Sequence, residues 1–215
     1  MADADPVPRI YVLAGTNGAG KSSIIGAMFL QAGAEYFNPD EAARWIQSAN
    51  PGISQVEANS AAWQEGKRLL ERAITDRYNF AFETTLGGNT IPRLLTEALS
   101  LGLEVRIWYV GLHTPELHIA RVRSRVEKGG HDIPEAEIRM RFEAGRLNLI
   151  RLLPKLTELR MYDNSAEFDP DTGHVPRPQL ILHMQRGTIV NPRDLPLTPE
   201  WAKPIVAAAL KLATR

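Results

Sequence analysis

Eight consecutive residues, Gly15-Thr16-Asn17-Gly18-Ala19-Gly20-Lys21-Ser22, fit the pattern G-x-x-x-x-G-K-[ST] at every fixed position. The chemistry open to such a segment is the capture of a phosphate. Its glycines permit positive φ, so successive main-chain N–H groups converge on an anion. The helix that should follow adds the partial positive charge of its N-terminus. Lys21 is then placed to bridge the β- and γ-phosphates of a nucleoside triphosphate, and Ser22 to offer its hydroxyl to Mg²⁺, with Ser23 beside it. The bland alternative is a glycine-rich turn that binds nothing. A strand directly before and a helix directly after are the context the pattern requires, and both are expected here.

A phosphoryl group needs an acceptor, and two acidic positions offer one a partner. Asp40 lies beyond a short apolar run, Glu35-Tyr36-Phe37, and after Asn38-Pro39. Its carboxylate could align an acceptor hydroxyl and take its proton, or it could cap the following helix. Spacing leaves both open. Glu83-Thr84-Thr85 closes another apolar run, Phe80-Ala81-Phe82. Glu83 could grip a substrate hydroxyl or reach Mg²⁺ through water, or be a solvated strand edge. Thr84 and Thr85 could touch a phosphate or simply end the strand. The strand-like Trp108-Tyr109-Val110-Gly111 carries no acid. That argues against a switch or motor ATPase and leaves Glu83 as the nearby substitute for a metal-side aspartate.

Arginines crowd the next segment. Arg121, Arg123 and Arg125 precede Gly129-Gly130-His131, and Arg139 and Arg141 follow Pro134. Arg121 and Arg125 would share a helix face, where like charges repel unless an anion relieves them. Planar guanidinium groups suit phosphate oxygens, and the glycine pair supplies the hinge of a helical lid. One arginine from each side of the hinge is expected at the transferring phosphate, Arg125 and Arg139 first, with Arg121 and Arg141 in reserve. The others pair with Glu127, Glu135, Glu137 and Glu143. His131 reads as a structural or hinge contact.

The elements that must position these groups alternate strand and helix. Strands are expected at 9–14, 35–37, 80–82, 103–110, 160–163 and 180–184. Helices are expected from Ser22 to Ala32, Asp40 to Ser48, Ser54 to Tyr78, Ile91 to Leu101, across 115–159 with a break at 129–134, and Thr198 to Thr214. On the long helix expected from Ser54 to Tyr78, Val56, Ala61, Ala62, Leu69, Leu70 and Ile74 share one apolar face. Such alternation means βαβ units and a parallel sheet. The expected fold is therefore the P-loop NTPase type, a three-layer αβα arrangement with a mostly parallel, five-stranded core sheet and a helical lid at about 115–150. Residues 1–8 are expected to be a disordered lead, and 9–215 one domain ending in a hairpin and helix at about 160–215. Trp45, Trp63, Trp108 and Trp201 read as core.

Composition narrows the partners. Among 215 residues there is no cysteine, which removes disulfides, thiolate metal sites and cysteine nucleophiles and agrees with a cytoplasmic setting. Lys+Arg 25 against Asp+Glu 25 leaves no basic excess for a nucleic acid. No apolar run is long enough for a bilayer, and residues 1–8 do not read as a signal peptide.

Taken in order, Gly15 to Ser23, Phe37-Asn38-Pro39-Asp40, Phe82-Glu83-Thr84-Thr85-Leu86, Arg125 to Pro134 and Tyr162-Asp163-Asn164-Ser165 resemble the zeta toxin family, particularly its shorter, stand-alone bacterial kinases. The resemblance implies ATP- and Mg²⁺-dependent phosphorylation of UDP-N-acetylglucosamine on a sugar hydroxyl. It implies Lys21 and Ser22 at the phosphates and metal, Asp40 as general base, Glu83 and Thr84 on the substrate side, and arginines at the lid; Asn38 and Thr85 are expected on the substrate side with them. A protein antitoxin is the partner such a family suggests. The chain lacks the extra length of the larger toxins, and the Gly129-Gly130-His131 insert shifts the register of Arg139. Two other readings remain open at this level: a kinase of the same mechanism acting on an antibiotic, nucleoside or other sugar, and a nucleotide-dependent regulatory module with no acceptor.

Overall fold

The computed structural model describes residues 7–21, 35–166, 176–191 and 197–214. Ser22, Ser23, the rest of the helix expected after Lys21 and most of the Asp169–Pro178 loop lie outside these residues.

Apolar alternation builds the sheet. Strand β1 (Arg9–Ala14) sits between β3 (Phe80–Thr84) and β4 (Glu104–Gly111), and pairs with both in parallel. Beyond β3 lies β2 (Glu35–Phe37), and beyond β4 lies β5 (Glu158–Asp163), again parallel. Strands β6 (Gln179–Gln185) and β7 (Thr188–Asn191) extend the edge antiparallel, giving the order β2-β3-β1-β4-β5-β6-β7. The five parallel strands are those the sequence led one to expect. The β6–β7 hairpin turns on Arg186 and Gly187, both at positive φ (45° and 79°), the conformation that matches strand twist in a two-residue turn.

Because side chains alternate across a strand, Ile10, Val12, Phe80, Phe82, Val105, Ile107, Leu159 and Met161 share the main core. Leu13, Ala81, Trp108 and Val110 form a smaller cluster of their own. The main core packs against the apolar stripes of α2 (Gln55–Thr75), α3 (Thr90–Ser100), α5 (Glu135–Leu152) and α6 (Lys203–Ala213). Helix α2 begins at a capping box in which Ser54 accepts from the N–H of Glu57 and Glu57 accepts from the N–H of Ser54. Helix α4 (Pro115–Glu127) starts at the Thr114 cap and joins α5 through the loop 128–134. Ile119, Val122, Ile133 and Ile138 hold that helix pair together.

Three expectations fail here. Trp45, on α1 (Pro39–Ala49), is 75% exposed, and Trp63 on α2 is 43% exposed. Val56 is 78% exposed, because it stands in the first turn of α2, ahead of the part that meets the sheet. The last helix begins only at Lys203.

Candidate active site

The sheet order makes β1 the switch point, with later strands added on either side, and open α/β sheets collect their ligands outside the carboxyl ends of the strands there. The glycine-rich loop leaves β1 at that edge. Gly15, Gly18 and Gly20 have φ of 140°, 80° and 81°. A Cβ on Gly15 would stand 2.1 Å from the carbonyl oxygen of Val110, so no other residue fits between β1 and β4.

Three partners pin the loop. Gly15 N donates to Thr84 O (3.2 Å), Asn164 Nδ2 donates to Ala19 O (2.9 Å), and His118 Nδ1 stands 2.8 Å from Asn17 O. A carbonyl only accepts, so His118 carries its proton on Nδ1. Burial pushes the imidazole down to about 4 from its ordinary 6.5. A neutral, buried histidine of this kind makes folding depend on pH. The unfolded chain binds a proton that the folded chain refuses, so stability is full above pH 6.5 and declines as pH falls toward about 4. The expected loss from His118 alone is about 3 kcal/mol at the bottom of that window. Urea unfolding at pH 7, 5.5 and 4.5, with His118→Gln flattening the slope, measures it.

Lys21 lies under the loop. Its Nζ donates to Gly15 O (2.9 Å) and faces Glu83 Oε1 at 3.6 Å, with both side chains only 9% exposed. The hydroxyl of Tyr36 donates to Glu83 Oε2 (2.8 Å). Burial, then the negative charge of Glu83, pushes the Tyr36 phenol far up, so it remains a donor. Glu83 thus stands on the β3 edge between the phosphate-loop lysine and β2.

Asp40 is resolved by its neighbour. Asn38, not Asp40, is the N-cap of α1: its Oδ1 accepts from the N–H of Asp40 (2.9 Å) and of Glu41 (3.4 Å). Pro39 takes the first helical position, where a missing N–H costs nothing. The carboxylate of Asp40 is therefore not needed by its own helix. It faces Arg125 Nη1 at 3.6 Å and His131 Nε2 at 3.7 Å. Asn38 itself is buried and committed to the cap, and it does not reach the cavity wall.

That wall encloses about 460 Å³. Its polar lining includes Asn17, Asp40, Lys67, Glu83, Thr84, Thr85, His131 and Arg141, and its apolar sides include Phe37, Phe82, Trp63, Ile91, Ile133 and Met140. Thr84 and Thr85 close their strand as well, since their hydroxyls accept from the N–H of Leu86 (3.1 Å) and Gly87 (3.3 Å). Asn148 fastens the same turn by donating to Leu86 O (2.7 Å) and Gly88 O (3.0 Å).

The arginines divide otherwise than spacing suggested. Arg139, expected at the phosphate, is an exposed side chain paired with Glu116 (2.6 Å). Arg141, two residues on, turns to the cavity, where Nη1 donates to Asn17 Oδ1 (2.9 Å) and the guanidinium also pairs with Glu137. On a helix a shift of two positions rotates a side chain by more than half a turn, so only one of the pair can face inward. Arg121 reaches Ala166 O (3.3 Å), away from the cavity, while Arg123 pairs with Glu135. Arg125 does not line the cavity but stands behind two residues that do, 3.6 Å from Asp40 Oδ2 and bonded to His131 O (3.0 Å). Sequence reasoning passed over Trp63 and Met140 as cavity walls. Nothing in the sequence separates a tryptophan that lines a cavity from one that fills a core.

A mostly parallel seven-stranded sheet with a phosphate loop at its switch point is the fold of the P-loop kinases. The profile of the zeta toxin family matches residues 2–168, and the chain belongs to that family. An uncharacterized protein of Haemophilus influenzae is 33% identical over 129 residues, which are 60% of this chain and 88% of that protein. Among solved structures, the AvrRxo1-ORF1:-ORF2 complex with ATP superposes with a TM-score of 0.62 at 16% identity, over 95% of this chain and 64% of that one. This chain thus spans about two thirds of that length. The PezAT chromosomal toxin-antitoxin system of Streptococcus pneumoniae gives a TM-score of 0.57 at 13% identity, over 99% of this chain and 88% of that one.

Proposed function

We propose that this protein transfers the γ-phosphoryl group of ATP to a hydroxyl of a small polar acceptor, with UDP-N-acetylglucosamine the leading candidate. The observation that carries the reading is a carboxylate released from its own helix: Asn38 caps α1, and Asp40 faces the cavity that Glu83 and Arg141 also line. Lys21 supports it from beneath the loop, held by Gly15 O and Glu83 in a site a phosphate oxygen would take over. The family match and the likeness to a complex with ATP support the donor.

In the reaction, the acceptor hydroxyl gives its proton to Asp40 as its oxygen attacks the γ-phosphorus. The bond from that phosphorus to the β–γ bridging oxygen breaks and ADP departs. Main-chain N–H groups of 15–20, Lys21 and Arg141 face the charge on the transferring group. An acceptor seated against the cavity's apolar sides would displace water, which would otherwise compete with it.

The donor set suits Mg²⁺, a hard cation that keeps most of its waters and takes one or two oxygens from protein. Glu83, with a largely buried carboxylate beside the loop, would hold it through water, and Ser22, outside the described residues, would supply a hydroxyl. Mg²⁺ there would neutralise phosphate charge.

Labelled ATP incubated with a panel of sugar nucleotides, sugars, nucleosides and aminoglycosides tests the reading. One labelled product that depends on Asp40 supports it. ATP binding without any product would favour a regulatory module. Two lid variants sharpen the assignment. Arg139→Ala is expected to leave kcat within about twofold, whereas Arg141→Ala should lower it about 10²-fold, the usual scale for losing one preorganised charge donor. Steady-state kinetics on the labelled product distinguishes them. The likeness to PezAT extends the proposal to a protein antitoxin, which would inhibit transfer when co-expressed from a neighbouring gene.

A further inference from the structure

The loop 128–134 carries an imidazole that the reaction above does not use. Arg125 donates from Nη2 to the main-chain oxygen of His131 (3.0 Å) and lies 3.4 Å from ring atom Nε2. A guanidinium has donors only, so Nε2 is the acceptor nitrogen and the ring proton sits on Nδ1. The same nitrogen, which carries no proton, faces Asp40 Oδ1 at 3.7 Å. Two acceptors therefore look at each other across a gap that one proton would bridge. Closing it takes a movement of about 1 Å, since an O–H donor bonds at roughly 2.7 Å. His131 lines the same cavity as Asp40, so the gap belongs to the reaction space.

The charged groups around the ring are Asp40 and Arg44 from α1, Arg125 from α4, and Asp132 beside it in the loop. Burial is the largest influence and holds the imidazole below its ordinary 6.5, helped by Arg125 and Arg44 and opposed by Asp40 and Asp132. At neutral pH the ring is uncharged and able to accept.

We propose that His131 is the proton-relay partner of Asp40: the proton that Asp40 takes from the acceptor hydroxyl passes from Oδ1 to His131 Nε2. The carboxylate is regenerated beside an imidazolium, and the proton leaves to solvent once product has gone. This rests on the kinase reading. His131 acts through Asp40 and is a positioning residue in that sense, but one with a titration of its own. Its role requires the neutral ring, so turnover falls as pH drops below 6.5 through the depressed value.

The test is the pH profile of kcat for the wild type and His131→Gln on the acceptor found active, together with an NMR titration of the His131 ring in the wild type and in Asp40→Asn. The relay predicts that His131→Gln lowers kcat about 10²-fold, keeps KM for ATP, and displaces the acidic limb of the profile. It predicts that the ring titrates at lower pH in Asp40→Asn, because the charge that favours protonation has gone. A lowered kcat with the acidic limb intact, or a ring whose titration is unmoved in Asp40→Asn, overturns the relay and leaves the kinase reading standing. Absence of any labelled product with the wild type overturns both.

Discussion

Asp40→Asn is expected to lower phosphoryl transfer about 10³-fold, within the usual range for a lost general base. ATP affinity should stay within about twofold of wild type, because no nucleotide contact is removed. The structure makes this variant unusually clean. Asp40 stands 45% exposed, its helix is capped by Asn38, and the amide that replaces it keeps the shape of the side chain. Stability should therefore move by less than about 0.5 kcal/mol. Asn38→Ala is the opposite control: it removes the cap, costs about 1 kcal/mol of stability, and leaves the base in place. Had Asp40 been the cap, Asn38→Ala would leave stability unchanged, since Asn38 would then hold no N–H of the first turn. Transfer rates, fluorescence-detected nucleotide binding and urea midpoints on the pair decide the matter. Wild-type rates in Asp40→Asn would remove Asp40 from the reaction.

The second large effect is expected at Lys21. Lys21→Ala should lose both transfer, by about 10³-fold or more, and most of the affinity for the triphosphate, since the same ammonium serves ground state and transition state. In the free protein the substitution also takes a cation away from Glu83, whose carboxylate is nearly shielded from water. A buried carboxylate deprived of its counter-charge destabilises the fold, typically by a few kcal/mol. Lys21→Ala is thus expected to melt at lower temperature than Asp40→Asn, and Lys21→Ala/Glu83→Gln to recover part of the difference without recovering activity. Nucleotide binding by calorimetry and thermal unfolding of the three variants measure this. Undiminished ATP affinity in Lys21→Ala would refute its place at the phosphates.

Much of this was legible in residue types and spacing. The octapeptide declares a phosphate loop because only glycine tolerates φ near 80° and the approach of Val110 O to Gly15. The parallel strands declare themselves as short apolar runs, and because parallel strands end at one edge, Asp40 and Glu83, each just beyond such a run, fall on the same side of the sheet. Asn38 and Asp40 are both good capping residues two positions apart, so their types alone leave the cap of α1 open; Pro39 between them, with its preference for the first helical position, is the sequence signal that points to Asn38, the cap the structure has. The positions of the two lid arginines were not separable by sequence. Arg139 and Arg141 differ by a rotation of α5 that depends on where the helix meets α4, and the charge run itself carries no phase. Trp45 and Trp63 failed because burial belongs to the partner surface, not to the side chain.

What the sequence by itself determined is the local chemistry: a phosphate-binding loop, acids at strand ends, and a family whose pattern spans residues 2–168. These follow from backbone constraints and from the two-residue and 3.6-residue periods, which act within a few residues of each position. The tertiary structure decided which groups meet. Lys21 reaches Glu83 across 62 positions of chain, Asp40 meets Arg125 and His131 across more than 80, and Arg141 rather than Arg139 finds Asn17. Such meetings depend on strand order and helix rotation, which are set by how the apolar faces of distant segments close on one another.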